Sequence, residues 1–65
     1  MSVVVRRDHP SGSLGLSVEA FPDTESIILG IGPLEDMKFF GLSVDEADAV
    51  ESALSDARER ALAGA

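Results

Sequence analysis

His9 is the only histidine in the chain and directly follows Asp8, so an aspartate that orients an imidazole as a general base is the first chemistry these residues could do. Such a base needs a nucleophile and a set of oxyanion donors. The neighbouring serines, Ser11 and Ser13, lie in turn-forming sequence around Gly12 with no oxyanion-hole motif, and there is no cysteine. His9 therefore reads as a solvated loop histidine. Two carboxylate clusters, Glu35-Asp36 and Asp45-Glu46-Asp48, have the residue types that glycosidases and two-metal sites use. Neither has the spacing of a calcium loop. The first is a polar turn, and the second is accounted for by the electrostatics of a helix start. Gly30-Ile31-Gly32-Pro33 contains a G-x-G, but Pro33 removes an N–H and no helix carrying Lys or Ser/Thr follows, so a glycine strand end fits better than a phosphate loop. The expectation is a non-enzymatic chain with no catalytic, cofactor-binding or metal-ligating residue.

One other constellation has chemical content. Arg6 and Arg7, with Lys38 on a neighbouring strand, would form a small basic spot. A phenylalanine exposed beside it, Phe39 or Phe40, would complete the minimum for stacking single-stranded nucleic acid. The rest of the composition opposes this. Net charge is −7, and the span from Glu35 to Glu59 holds eight acids against two bases, Lys38 and Arg58. Such a surface repels phosphate backbones and suits solubility or a basic protein partner.

The elements that would position these residues follow from pattern. Val3-Val4-Val5 is β-branched and predicts a strand to about Arg7. Asp8 to Ser13 supplies six consecutive turn formers, read as a loop outside any ladder. Leu14 to Phe21 alternates, with Leu14, Leu16, Val18 and Ala20 on a core face and Gly15, Ser17, Glu19 and Phe21 on a wetter one. Phe21 to Glu25 is a turn around Pro22, and Ser26 to Ile31 is a third strand. Met37 to Phe40 reads as a fourth strand after a corner at Leu34-Glu35-Asp36. The rival is a short helix over Leu34–Phe40, with Pro33 as its first residue and Gly41 as its stop.

The C-terminal helix, about 43–62, is the most fully specified element. Ala47, Val50, Leu54, Ala57 and Ala61 recur three and four apart and make one apolar stripe. Ser43 and Glu46 have capping-box spacing, Leu42 and Ala47 can staple, and Gly64 is placed to stop the helix. The expected fold is α+β: a three- to four-stranded antiparallel meander with this one helix packed on one sheet face, in a single domain over residues 1–65.

At sixty-five residues such a domain buries only about 60% of its unfolded surface. With no cysteine, disulfides and thiolate metal sites are excluded, and a single histidine argues against a structural zinc site, which favours self-association. One helix covers one face, yet Ile27 beside Ile28 and Phe39 beside Phe40 put large apolar groups on both. A homodimer is therefore expected, with Ile28, Phe39, Phe40 and Phe21 as the interface residues. The basic-then-apolar order of a signal peptide and any membrane-length apolar run are lacking, which predicts a cytoplasmic location. Absence of Asn and Gln, and one Lys against four Arg, indicate a GC-rich coding sequence, as in an actinobacterium, one of its phages or a halophile. The role expected of this chain suits a phage or mobile element.

A β-β-β-β-α order entered through Lys38-Phe39-Phe40-Gly41-Leu42-Ser43 resembles the single-stranded-DNA-binding domain of positive-cofactor-four-type transcription coactivators. That resemblance implies a dimer and, as the alternative function, nucleic-acid contact through Arg6, Arg7 and Lys38. It covers the last half of the chain. The strands here lack that family's basic and aromatic richness. Leu42 to Ala61 is also similar to the endings of small actinobacterial and actinophage proteins. The principal reading is a small acidic regulatory or protein-interaction module, homodimeric, with a basic protein partner, no cofactor and no membrane association.

Overall fold

A computed structural model describes residues 2–64. Four strands form one antiparallel sheet in sequence order: β1 (Ser2–His9), β2 (Gly12–Phe21), β3 (Ser26–Pro33) and β4 (Lys38–Ser43). Helix α1 (Val44–Ala63) follows β4 without a linker. The sequence-predicted meander and single C-terminal helix are both present. No helix among the described residues is long and apolar enough to cross a membrane.

The strands run further than their apolar cores. The six turn formers from Asp8 to Ser13 are not a loop: Asp8 pairs with Ser13 and His9 with Gly12, leaving Pro10-Ser11 as a two-residue turn. Gly12 makes this possible, because its φ of 137° lies where a side chain would be strained. β1 carries a bulge between Val3 and Val5. Between β2 and β3, Pro22–Thr24 forms a 3₁₀ turn closed by Glu25 at φ 49°, whose N–H donates to the Pro22 carbonyl. Over Leu34–Phe40 the strand reading holds. Pro33 accepts from the Asp36 N–H at 2.9 Å in a turn, and β4 begins at Lys38.

The capping box forms as its spacing predicts. Ser43 Oγ accepts from the Glu46 N–H at 3.2 Å, and Glu46 Oε1 accepts from the Ser43 N–H at 2.9 Å. At the other end Gly64 caps in a right-handed conformation, its N–H donating to the Arg60 carbonyl, so the left-handed freedom of glycine is not used.

Register assigns the two faces. Leu14, Leu16, Val18 and Ala20 lie opposite Pro33, Ile31, Leu29 and Ile27, and Leu29 and Ile27 lie opposite Phe40 and Leu42. Cross-strand partners point to the same side, so these residues share one surface, termed here the open face. Val5 and Arg7 on β1 join it. The opposite surface carries Gly15, Ser17, Gly30 and Gly41 together with Ile28, Phe39 and Phe21; it is termed the glycine face.

Sequence pattern assigned the core to the first of these surfaces, and Leu42, the one buried hydrophobic side chain among the described residues, lies there with half-buried Leu16, Ile27 and Leu29. The most buried positions of β2, however, are on the other. On β2, Gly15 and Ser17 are buried while Leu14 and Val18 are exposed. The glycine face is roofed by its own chain: a Cβ on Gly15 would run into Leu34, and one on Gly30 would sit 2.8 Å from Phe39 Cε1. Small residues thus leave room for Leu34 and Phe39 to fold down. Helix α1 stands over the open face from the β4 side, meeting β4 and β3. It covers little, since of its residues only Ala47 and Val50 reach half-burial.

The overall dimensions agree with this lack of cover. The radius of gyration is 13.9 Å, whereas a compact chain of this length would have about 10.7 Å. The accessible surface is 5186 Å², against about 3,950 Å² for a folded monomer of this mass.

Candidate interaction surface

Among the described residues Leu42 is the one buried hydrophobic side chain, while twelve large hydrophobic ones are exposed. The largest exposures on the open face are Phe40 at 66% and Ile31 at 63%. Two shallow hollows mark this surface. One, of about 350 Å³, runs over β1, β2 and β3 between Val5, Arg7, Leu14, Leu16 and Ile31. The second, also about 350 Å³, separates the sheet from the helix, with Val18, Leu29 and Leu42 on one wall and Ala47, Val50 and Leu54 on the other. The helix stripe continues past this groove. Leu54 is 65% exposed, and Ala57 and Ala61 are exposed as well. Sheet and helix together therefore present one bent apolar surface.

Strand alternation separates the sequence-predicted interface residues. Phe40 lies on the open face; Ile28, Phe39 and Phe21 lie on the glycine face. There Phe39 serves as part of the roof over Gly30, Ile28 is half-buried opposite Gly41, and Phe21 borders a hollow of about 410 Å³ near Val44 at the sheet end. The four do not form one patch. The patch that exists adds Val5, Leu14, Leu16, Val18 and Ile31. The alternation of Leu14, Leu16 and Val18 was visible in the sequence as a core face; α1 stands over that face but meets it at β3 and β4 and leaves the β1–β2 side open.

The basic spot is also divided. β1 and β4 are opposite edges of the sheet, so Lys38 is not on a strand next to Arg6 and Arg7. Three strand spacings, about 14 Å, lie between them. Arg6 and Arg7 point to opposite sides. Arg6 Nε donates to Asp8 Oδ1 at 3.0 Å, and Lys38 Nζ lies 3.7 Å from Asp36 Oδ1. Arg7 and Lys38 do share the open face with Phe40, and no carboxylate on the strands points to that face.

Asp8 and His9 are adjacent and so project to opposite sides of β1. The Asp8 carboxylate accepts from Ser13 Oγ and from Arg6 instead, and the Ser13 hydrogen bond foremost, then Arg6, holds its pKa below the ordinary aspartate value. His9 borders a shallow hollow at the hairpin tip with Ser11, Ser13 and Glu35. The Asp–His orientation required of a general base is not formed. Among the described residues no group of three or more His, Asp or Glu side chains is placed to hold a metal ion.

One polar group is out of place. Ser17 is 1% exposed, and its Oγ has no hydrogen-bond partner among the described residues. It lies under the roof beside Gly30, where the alternation gave no sign that a serine would be the most buried side chain. No protein-family model matches the chain, and neither a curated protein nor a solved structure matches it.

Proposed function

We propose that this chain is a small acidic, non-catalytic interaction module that works as a homodimer and engages a basic protein partner. One observation carries the reading: a fold with a single buried hydrophobic side chain among its described residues and twelve large exposed ones lacks a core of its own. Burial of apolar surface is the main force that offsets chain entropy. A second chain supplies that burial where one chain is too small. The residues able to do chemistry are either engaged elsewhere, as Asp8 is, or dispersed.

The acidic side of α1 is left for the partner. Asp45, Asp48, Ser52, Ser55, Asp56 and Glu59 fall on one arc of the helix, away from the apolar stripe, and all are exposed. Light scattering at micromolar concentration tests the dimer, and a mass of 6.8 kDa there would overturn it. Binding of a lysine- and arginine-rich peptide tests the acidic arc. It should weaken with salt and be lost when Asp45, Asp48, Asp56 and Glu59 are replaced by their amides. Binding unchanged by those replacements would remove the arc from the reading.

A second reading has one observation in its favour: Arg7, Lys38 and Phe40 share the open face, as a stacking platform for single-stranded nucleic acid would require. It is the function implied by the coactivator resemblance. The charge of −7 and the ion pairs at Arg6 and Lys38 oppose it. Salt-sensitive binding to an oligonucleotide that disappears with Arg7→Ala and Lys38→Ala would establish it; no binding at low salt would dismiss it.

A further inference from the structure

We propose that the open face of one copy receives the α1 stripe of a second copy, reciprocally, giving a twofold-symmetric dimer held by two helix-on-sheet contacts. This rests on the homodimeric reading above and adds which surfaces meet. Three observations carry it.

Area comes first. The chain exposes 5186 Å², about 1,200 Å² more than a folded monomer of its mass should. Burying that excess on both copies removes about 2,400 Å², which falls in the range of obligate dimers. The glycine face also exposes Phe39, Val3 and Phe21, but Leu34 and Phe39 fold over its glycines. The larger share of the exposed apolar side chains (Val5, Leu14, Val18, Ile31, Phe40 and Leu54) lies on the open face and the outer part of the helix stripe.

Shape is the second. A 20-residue helix is about 30 Å long, and the ten residues of β2 extend about 33 Å. The stripe residues beyond the first turns, Leu54, Ala57 and Ala61, are mostly alanine, which lets a helix axis approach a sheet closely. In their own chain they are exposed, beyond the half-buried Ala47 and Val50.

Charge is the third, and it selects helix-on-sheet over sheet-on-sheet. The strand side chains on the open face include two cations, Arg7 and Lys38, and no carboxylate. Stacking two open faces would bring like charges together, Arg7 foremost, since Lys38 already lies 3.7 Å from Asp36 Oδ1. Helix α1 holds six acids, Asp45, Glu46, Asp48, Glu51, Asp56 and Glu59, against Arg58 and Arg60. Four of these acids, Asp45, Asp48, Asp56 and Glu59, point away from the stripe. Glu46 and Glu51 flank it with Arg58, and it is these two carboxylates that would meet the partner's face carrying Arg7 and Lys38. A contact of this kind is isologous, each copy giving a helix and taking one.

The test uses paired charge substitutions in mixtures of the full chain, with mass read by light scattering and folding by circular dichroism. Leu54→Glu and Ile31→Lys should each lower the mass from the dimer to 6.8 kDa at the same concentration. An equimolar mixture of the two should restore the dimer mass together with any lost helix signal. In the mixed pair one helix-on-sheet contact is wild type, and the other sets the introduced carboxylate against the introduced ammonium. Val3→Lys, on the glycine face, should remain dimeric. A wild-type monomer overturns the homodimeric reading and this geometry with it. A wild-type dimer that survives Leu54→Glu, is broken by Val3→Lys, or is not restored by mixing overturns the geometry alone.

Discussion

Gly30→Ala should destabilise this protein, although replacing a strand glycine by alanine ordinarily helps. The ordinary gain is about 0.4–1 kcal/mol, from the lower entropy of the unfolded chain. At Gly30 the added methyl would lie 2.8 Å from Phe39 Cε1 and 3.0 Å from Phe39 Cδ1, and would also press on Ser17 Oγ. The Phe39 ring lies over Gly30 but is 54% exposed and can give in part, whereas Ser17, the nearest neighbour of the new methyl, is 1% exposed and has nowhere to go. Overpacking of this kind costs about 1–3 kcal/mol. After the entropic gain is subtracted, the expected loss is about 1–2 kcal/mol, a fall in Tm of about 4–8 °C for each kcal/mol in a domain this small. Gly41→Ala is the matched control. It lies on the same glycine face with nothing within 4 Å of the new methyl, so it should gain the full 0.4–1 kcal/mol. Urea denaturation at one fixed protein concentration is the assay, because the stability of an associating chain depends on concentration. Removing the ring should relieve the clash: Gly30→Ala with Phe39→Ala should be less destabilised than the two single changes summed, by about 0.5–3 kcal/mol. A Gly30→Ala protein as stable as Gly41→Ala would refute the roofed face, and additive losses would refute the contact between Gly30 and Phe39.

Ser17→Ala should raise stability by about 1 kcal/mol in the same urea assay, because it removes a buried hydroxyl that has no partner while keeping its volume; a loss would show that the hydroxyl is satisfied. Ser43→Ala should lower stability by about 1 kcal/mol and reduce helical circular dichroism, since Ser43 Oγ caps the Glu46 N–H. Asp8 titrates below its ordinary value of 3.8, so whatever it contributes to stability is present above that value and is lost as pH falls through the lower folded one. Ser13→Ala removes the first cause of that depression, and NMR titration of the Asp8 carboxyl should then find its pKa moved upward.

Local rules made α1 and its start legible from residues alone. The Ser43–Glu46 capping box and the three-four spacing from Ala47 to Ala61 concern atoms within one or two turns, and each formed where its spacing put it. Strand order was legible because the connections between the predicted strands are short, which makes sequence neighbours pair. The hairpin at Asp8–Ser13 was missed because turn propensity and pairing compete there. The Asp8–Ser13 hydrogen bond and the positive φ of Gly12 decide for pairing.

Period-two alternation determined which residues of β2 and β3 share a surface: Leu14, Leu16 and Val18 with Ile31 and Leu29. It could not determine what covers that surface. Cover depends on the direction in which α1 leaves β4, and on whether Leu34 and Phe39 fold onto the opposite side. Both are settled by contacts between residues distant in sequence. Gly15 and Gly30 have no side chain to signal a face, yet the room they leave is what draws Leu34 and Phe39 down onto them. Sequence alone determined the elements and the membership of each face. Tertiary structure decided how much of the apolar face is covered: the helix rises from the β4 edge, buries Leu42 and leaves the β1–β2 side bare.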